Sequence, residues 1–254
     1  MTRRSLLLSA PLAAAARQSG DVALLTHAAA PHLSAYVEGL AKCPDVQRVF
    51  LAGPSAEKEV APGLGPKLAA VFPSPAALFQ LHQPPLALIP MEAALAPPAI
   101  RSALEAGCHV MAEKPACVRA EDFAPLAALA NSRRQFLMLA FANRIDPVMR
   151  EARRIVQSPA IGKLYGMEMH LIADQTRLTR PAYHKTWTAQ KARAGGGHLI
   201  WLGIHWLDLA AFISGSRITR VAGFTGNVGG QPIDTEDTAA ITFQFANGDR
   251  KSVV

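Results

Sequence analysis

Two short runs of the chain carry side chains suited to proton chemistry on a hydroxyl group. The first is Glu113-Lys114-Pro115, which follows the predicted strand 108–111. The second spans residues 194–209, where three glycines precede an apolar run that carries His198 and His205. An imidazole exchanges a proton near neutral pH, and an ammonium stabilises negative charge that develops on an alcohol oxygen. We therefore predict one cleft that holds Lys114 and His205.

The glycine-rich run also predicts how the histidines are presented. His198 and His205 are seven residues apart, which brings them close to one face of a helix. Asp208 falls on the same face, where it either orients the His205 imidazole or pairs with a neighbouring backbone donor. The glycines 195–197 suit a place where backbone approaches a ligand. Two structural interpretations compete with a catalytic one: Lys114 as a surface lysine and His205 as a core histidine.

The elements that position these residues alternate between strand and helix up to residue 141. Apolar runs predict strands at 21–26, 46–51, 69–72, 86–90, 108–111 and 136–141. Helical spacing fits 32–42, 97–106 and 120–131. This alternation predicts a parallel sheet covered on both faces, with ligands beyond the carboxyl ends of the strands. Thr26, Pro90 and Lys114 fall at those ends.

After residue 143 the pattern changes. A helix is predicted at 147–157, an alternating strand at 164–172, a polar loop at 176–194 and then the helix with His205. Strands at 217–225, 238–245 and from 251 follow, with a hairpin turn at Asn247-Gly248. We expect an open, largely antiparallel sheet, and we interpret it as incomplete because the chain stops within the returning strand.

The N-terminal sequence indicates where in the cell the protein is located. Arg3-Arg4 precedes a short apolar run to Ala16, which predicts a twin-arginine export signal over residues 1–18 and a periplasmic protein. The alternative is a basic tail on a buried first helix of a cytoplasmic protein. The apolar run is too short to span a membrane, so we expect no stable membrane insertion.

The chain has 254 residues, of which 18% are charged, and a net charge of +7. Its basic residues are scattered, so we expect no nucleic-acid partner. Cys43, Cys108 and Cys117 have no metal-ligand spacing and are expected to be buried, and we predict no metal site.

Together the motifs resemble a known family. Glu113-Lys114-Pro115 after a strand, Arg144-x-x-Pro147, the three glycines and Gly203-Ile204-His205-x-x-Asp208 are similar to segments of the Gfo/Idh/MocA oxidoreductases, in the same order along nearly the whole chain. The resemblance implies an α/β fold with an N-terminal Rossmann-type parallel sheet over residues 19–143. Over 144–254 it implies a C-terminal α+β domain with an open sheet that carries the substrate side.

The resemblance also implies the chemistry. It predicts an oxidoreductase that uses NAD or NADP to oxidise a sugar or cyclic polyol, with Lys114 holding the hydroxyl and His205 acting as the general base. The predicted cofactor contacts are Thr26, Ala28, Ser55, Pro90, Glu113, Pro115 and Arg144. The predicted substrate contacts are Trp201, His198, Asp208 and Tyr183. A homo-oligomer is expected if the sheet is complete.

The chain departs from the family pattern at two places. Trp201 stands where an acidic residue often precedes the histidine, and it can stack on a sugar ring but cannot relay a proton. The loop 26–32 after the first strand has no glycine, and Ser55 stands near the position of the acid that binds a ribose hydroxyl, which favours NADP slightly. The family's P-N-x-x-H run is altered at Pro90. These departures leave two alternatives: a catalytically silent sugar- or nucleotide-binding protein of the same fold, and an NAD-dependent glycosidase.

Overall fold

The computed structural model of the protein describes residues 20–246 and 250–253. The export signal predicted for residues 1–18 and the hairpin turn predicted at Asn247-Gly248 lie outside the described residues. The N-terminal half forms a parallel sheet in the order β3-β2-β1-β4-β5-β6. Its strands are β1 (Asp21–Leu25), β2 (Arg48–Ala52), β3 (Leu68–Phe72), β4 (Leu86–Ile89), β5 (His109–Ala112) and β6 (Leu137–Leu139).

Helices cover both faces of this sheet, so its strands are buried on both sides and consist mainly of apolar residues. The helices are α1 (Leu33–Lys42), α2 (Glu57–Leu64), α3 (Pro75–Leu81), α4 (Ala96–Glu105) and α5 (Ala120–Ser132). Along β1, Ala23 and Leu25 pack into one hydrophobic cluster, while Val22 and Leu24 pack into the other. Alternate residues therefore serve opposite faces, and the predicted doubly covered parallel sheet is confirmed.

The strand order reverses between β1 and β4, and this point opens a crevice at the carboxyl edge of the sheet. Thr26 closes its floor: its backbone N–H donates to Ala52 over 3.1 Å and its hydroxyl donates to the Pro90 carbonyl over 2.8 Å. Gly53 is required beside it, because a Cβ there would lie 2.1 Å from the Thr26 carbonyl oxygen. The crevice is thus built from the ends of three neighbouring strands.

The C-terminal half forms a second sheet in the order β7-β10-β9-β8. Its elements are α6 (Pro147–Val156), β7 (Glu168–Met169), α7 (Pro181–His184), α8 (Lys191–Ala194), α9 (Ile204–Ser214), β8 (Ile218–Gly226), β9 (Thr238–Phe245) and β10 (Arg250–Val253). Strands β8, β9 and β10 are antiparallel, and β7 joins β10 in parallel. Ala210 of α9 packs on Ile241, Phe243 and Phe245 of β9, which forms the core of this domain.

Three predicted segments differ in the structure. The strand expected at 164–172 is wrong in extent, because only Glu168–Met169 pairs with β10. The loop expected at 176–194 contains short helical turns. The helix expected to carry both histidines is interrupted, because Leu199–Gly203 forms a π-helical turn before α9. Such turns widen the helix and shift the faces of the residues that follow.

One helical stretch, Lys191–Ser214, has the length and apolar composition that could cross a membrane, with a mean hydropathy of 1.2. In the fold it comprises α8, the π-helical turn and α9. Leu209, Ala210 and Ile213 are buried against the second domain. About a third of the stretch, 33%, is buried, and Ala210 packs in the core of the second domain, so we interpret the stretch as a helix of that domain.

Candidate active site

Lys114 lies just beyond the carboxyl end of β5, and its side chain is buried. The residue is 3% exposed, so the interpretation as a surface lysine is wrong. Its Nζ donates to the carbonyl oxygen of Trp201 over 2.8 Å and lies 4.3 Å from the centroid of the Trp201 ring. Burial lowers the pKa of Lys114, the carboxylate of Glu113 raises it, and the charge of Arg177 lowers it. The ammonium is therefore a desolvated charge facing the crevice.

His205 is the second residue of α9. Its ring meets Phe141 edge to face, with the centroids 6.0 Å apart. Its buried Nδ1 has no hydrogen-bond partner among the residues that the structure describes. Burial is the main cause that lowers the pKa of His205, and the charge of Lys114 lowers it further. Lys114 donates to the Trp201 carbonyl four residues before His205, so both residues are attached to the start of the same helix. A neutral imidazole can accept a proton from a hydroxyl.

Glu113 connects β5 to the first turn of α1. Its buried carboxylate accepts hydrogen bonds from the Tyr36 hydroxyl over 3.0 Å and from the backbone N–H of Lys114 over 3.0 Å. The His32 ring nitrogen Nδ1 lies 3.2 Å from the same carboxylate. Burial, together with Glu113, raises the pKa of Tyr36 well above its usual range. Glu113 therefore holds the start of α1 against the strand end that carries Lys114.

Asp208 makes a contact that neither sequence-based alternative foresaw. Arg144 donates through Nε and Nη2 to the two carboxylate oxygens of Asp208, with Nε 2.7 Å from Oδ2. The Arg144 guanidinium also lies over the rings of Phe141 and Phe212. Because Phe141 touches His205, the ion pair supports the wall behind the imidazole. The cofactor contact predicted for Arg144 and the substrate contact predicted for Asp208 stay predictions.

Trp201 forms an aromatic wall of the cleft from within the π-helical turn. Its ring stacks with His32 at a centroid distance of 5.9 Å and meets Trp187 edge to face at 5.4 Å. Trp187 donates from its indole N–H to the carbonyl of Ala29, over 3.3 Å. The two domains therefore meet across the loop that follows β1, and Trp201 offers a flat apolar surface beside Lys114.

An ion pair between a buried glutamate and a half-exposed arginine joins the domains on the other side of this loop. Glu92, 2% exposed, binds Arg193 of α8 through two hydrogen bonds, one of 3.0 Å. The backbone N–H of Ala94 donates to the Arg193 carbonyl, and the N–H of Glu92 donates to the ring of His27. The altered run after β4 thus serves to attach the second domain.

Gly195 and Gly197 lie against protein backbone, and Gly196 lies against the side chains of Ile200 and Glu236. A Cβ on Gly197 would lie 2.0 Å from the carbonyl oxygen of Glu236, and Gly195 has φ +84°. The N–H of His198 donates to the same Glu236 carbonyl over 2.7 Å. The prediction that these glycines let backbone approach a ligand is wrong, because the segment around Glu236 lies where that ligand would be.

The loop between β1 and α1 presents small residues to solvent. Ala28 and Ser55 are exposed beyond the ends of β1 and β2, whereas Thr26 and Pro90 are buried and bound to each other. Helix α1 has no acidic residue in its first turn, and in the described part of the chain no side chain caps it. Unpaired N–H groups at a helix start attract anions. The residues present therefore fit the pyrophosphate of a dinucleotide, held by α1 rather than by glycines.

His198 and Tyr183 belong to a polar group next to Lys114. The His198 ring contacts the amide of Gln175, and the Arg177 guanidinium lies 5.5 Å from the centroid of the Tyr183 ring. Burial is the main cause that lowers the pKa of His198, and the charge of Arg177 adds to it. The sequence indicated the histidine and the tyrosine but missed Gln175 and Arg177.

Other site residues were also missed at the sequence level. Tyr36 and His32 stand on the apolar side of α1, where helical spacing marks them as packing residues. Glu92 carried a usable signal, since it is an acid within an otherwise apolar strand end. Arg193 lies in a loop whose polar composition gave no indication of a buried contact. By sequence, Trp187 of the same loop is a candidate polyol contact, and in the structure it packs against Trp201 and donates to Ala29.

Two protein-family models match the two halves of the chain. Residues 25–141 match the oxidoreductase family with an NAD-binding Rossmann fold, and residues 149–253 match the Gfo/Idh/MocA C-terminal domain. The chain belongs to the Gfo/Idh/MocA family. Its N-terminal domain is the family's NAD-binding Rossmann fold, and the resemblance drawn from the motifs is confirmed.

Individual relatives are named oxidoreductases. Levoglucosan dehydrogenase of Pseudarthrobacter phenanthrenivorans is 27% identical over 168 residues, which cover 58% of this chain and 43% of that protein. D-glucoside 3-dehydrogenase of Escherichia coli is 32% identical over 115 residues, which cover 44% of this chain and 31% of that protein. The matched region therefore spans less than half the length of these relatives.

Solved structures share the fold. An oxidoreductase domain protein from Kribbella flavida has a TM-score of 0.82 and 23% identity, over 92% of this chain and 66% of that one. Levoglucosan dehydrogenase in complex with NADH and levoglucosan has a TM-score of 0.80 and 21% identity, over 92% of this chain and 65% of that one. At these identities the likeness supports the architecture, an α/β fold with a parallel sheet followed by a second α+β domain.

Proposed function

We propose that this protein is an NAD(P)-dependent oxidoreductase that acts on a hydroxyl group of a sugar or cyclic polyol. One observation carries the proposal: at the carboxyl edge of the parallel sheet, the buried Lys114 ammonium donates to the carbonyl of Trp201, which lies four residues before His205 in the same helical segment. Family membership supports the reaction class, since the relatives are named dehydrogenases.

The side chains divide the work on the substrate hydroxyl. Lys114 donates a hydrogen bond to the oxygen and stabilises its developing negative charge, which is strongest where water is excluded. His205 accepts the hydroxyl proton on its imidazole ring. The ring of Trp201 packs against the sugar face, and His198, Tyr183 and Asp208 are the remaining proposed substrate contacts. When bound, the nicotinamide cofactor supplies the hydride acceptor for the oxidation.

The proposed cofactor is NAD or NADP, held by the start of α1. Ala28 and Ser55 are the exposed contacts for the phosphates and the ribose, and Thr26 with Pro90 forms the floor. Glu113, Pro115 and Arg144 complete the proposed contacts on the nicotinamide side. Because Ser55 carries no charge, it neither binds the ribose diol as a carboxylate does nor repels a 2′-phosphate.

A second candidate is a catalytically silent sugar- or nucleotide-binding protein of this fold. The specific observations that favour it are the glycine-free loop after β1 and the replacement of the usual acid by Trp201. An NAD-dependent glycosidase is a variant of the first proposal, in which transient oxidation assists bond cleavage. Both candidates share the cleft but differ in what happens to the cofactor.

The test is a cofactor and substrate titration on purified protein. Binding of NAD and of NADP is followed by fluorescence, and a panel of sugars and inositols is then added while absorbance of the reduced nicotinamide is recorded. Net formation of reduced cofactor supports the dehydrogenase, and sugar release from glycosides without it supports the glycosidase. Sugar binding with neither product would establish the silent protein and refute the enzymatic proposal.

Export and assembly remain proposals. We propose delivery to the periplasm by the twin-arginine route, with the cytoplasm as the alternative, and cell fractionation distinguishes the two. We also propose a homo-oligomer, since strand β8 exposes Phe224 and Val221. Sedimentation of the purified protein tests it, and a monomer at micromolar concentration would contradict it.

A further inference from the structure

Beside the proposed substrate contact His198 lie two polar side chains, Gln175 and Arg177, to which the proposed reaction assigns no role. We define the Gln175 group as Gln175, Arg177 and His198. The amide nitrogen of Gln175 contacts Nδ1 of His198, while its Oε1 is buried without a partner among the described residues. The Nε of Arg177 is likewise buried and unpaired within that part of the chain. Buried polar groups are nearly always hydrogen-bonded, so these unpaired atoms indicate that a polar ligand or water completes them.

Contacts connect this group to the reacting centre. His198 begins the turn that carries Trp201, whose N–H donates to the Gly197 carbonyl over 2.7 Å. The Trp201 carbonyl in turn accepts the Lys114 ammonium. Arg177 also lowers the pKa of Lys114, which indicates that the two cations lie within electrostatic reach of each other. The Gln175 group and Lys114 are therefore connected through the turn that carries Trp201.

Arg177 has no ion pair within residues 20–246 and 250–253, and its guanidinium rests on the Tyr183 ring. The acidic side chains around the cleft already accept donors of their own. These pairs are Glu113 with the Tyr36 hydroxyl, Asp208 with Arg144, Glu236 with the N–H of Leu199, and Asp237 with the N–H groups of Val228 and Gly229. Among the described residues, the Arg177 guanidinium thus lacks a carboxylate partner.

We propose that the Gln175 group binds the carboxylate of an acidic sugar or polyol, whose hydroxyl faces Lys114 and His205. A planar guanidinium binds a carboxylate through parallel N–H donors, which would pair the orphaned Nε of Arg177. The unpaired Oε1 of Gln175 accepts a hydrogen bond from a ring hydroxyl of the same ligand. The position of the hydroxyl rests on the proposed function, whereas recognition of the carboxylate rests on the Gln175 group alone.

The test measures binding without cofactor, by quenching of intrinsic tryptophan fluorescence. The probes are glucose with glucuronate, galactose with galacturonate, and glucose 6-phosphate. We expect each acid to bind roughly tenfold more tightly than its neutral partner, as for one hydrogen bond to a charged group. The preference should shrink as salt rises, because part of it is Coulombic.

Variants identify the residue responsible. Arg177→Gln should remove the preference for the acids, while Arg177→Lys should retain part of it because the charge remains. Arg180→Gln is the matched control, since Arg180 is exposed three residues away. Equal binding of acids and neutral sugars, no binding of either acid, a preference for the phosphate, or a preference unchanged in Arg177→Gln overturns the inference.

The same samples separate this inference from the proposed activity. NAD or NADP is added to each bound ligand, and reduced cofactor is measured. Acid-selective binding without turnover keeps the carboxylate site and refutes the dehydrogenase. Turnover of neutral and acidic sugars at equal kcat/KM refutes the carboxylate site and keeps the dehydrogenase.

Discussion

Replacing Lys114 with Met removes one charge from the cleft while nearly preserving the length of the side chain. The variant leaves the Trp201 carbonyl without its donor, a loss of about 1 kcal/mol, and it removes a cation–π contact worth about 0.5–2 kcal/mol. Against these losses, a desolvated ammonium no longer has to be buried. We therefore expect the free energy of unfolding to change by no more than about 1 kcal/mol.

The effect on turnover should be much larger. Lys114 is a preorganised donor at the place where the alkoxide develops, and removing one such donor costs about 10²–10³ in kcat, roughly 2.7–4 kcal/mol. We expect kcat/KM to fall by that factor, measured from the absorbance of the reduced nicotinamide. Urea denaturation of the same protein shows whether the fold is kept. Lys58→Met, on the exposed side of α2, is the matched control.

The pH profile supplies a signature that a structural effect would not produce. His205 must be neutral to accept a proton, and both burial and the Lys114 charge hold its pKa below the ordinary 6.5. Removing that charge raises the pKa of His205, so the acid limb of kcat/KM should move to higher pH in Lys114→Met. Proton NMR of the His205 ring measures the same shift without turnover. Unchanged kcat/KM, or an acid limb and an NMR titration that both stay in place, would refute the reasoning.

Three further variants test other contacts. Gly197→Ala should destabilise the protein by about 1–3 kcal/mol in urea denaturation, because the new Cβ meets the Glu236 carbonyl; an unchanged midpoint would contradict the close packing. Arg193→Met should lower the free energy of unfolding by about 2 kcal/mol, because Glu92 stays buried without its partner. The loss is below the roughly 3–5 kcal/mol typical of broken buried ion pairs because Arg193 is half-exposed. Equal stability of the variant would show that water replaces the arginine. His205→Gln should lower kcat about 10²–10⁴-fold with substrate affinity nearly kept, as expected for a lost general base; calorimetry with steady-state kinetics checks it, and full activity would remove His205 from the mechanism.

Much of the first domain was predictable from the sequence, because its physics is local. A strand buried on both faces needs a continuous apolar run, and β1 and β4 show one. The carboxyl ends of such strands must meet at one edge of a parallel sheet, and this rule predicts from the sequence that Lys114 lies at a crevice. The second domain was less predictable. The alternation of apolar and polar residues over 164–172 predicts an extended chain, but a strand forms only where a neighbouring strand supplies hydrogen bonds. In the described part of the chain, β10 pairs with two of these residues, Glu168 and Met169.

The sequence by itself determined the six strands of the first domain and their order along the chain, the family, and the pair of residues most suited to act on a hydroxyl. Tertiary structure alone decided the partners: Arg144 binds Asp208 across 64 residues, and Glu92 binds Arg193 across 101. No periodicity encodes such pairs, because they depend on how two domains pack. The π-helical turn that brings the Trp201 carbonyl to Lys114 likewise depends on that packing, since the same apolar run forms an ordinary helix by local preference.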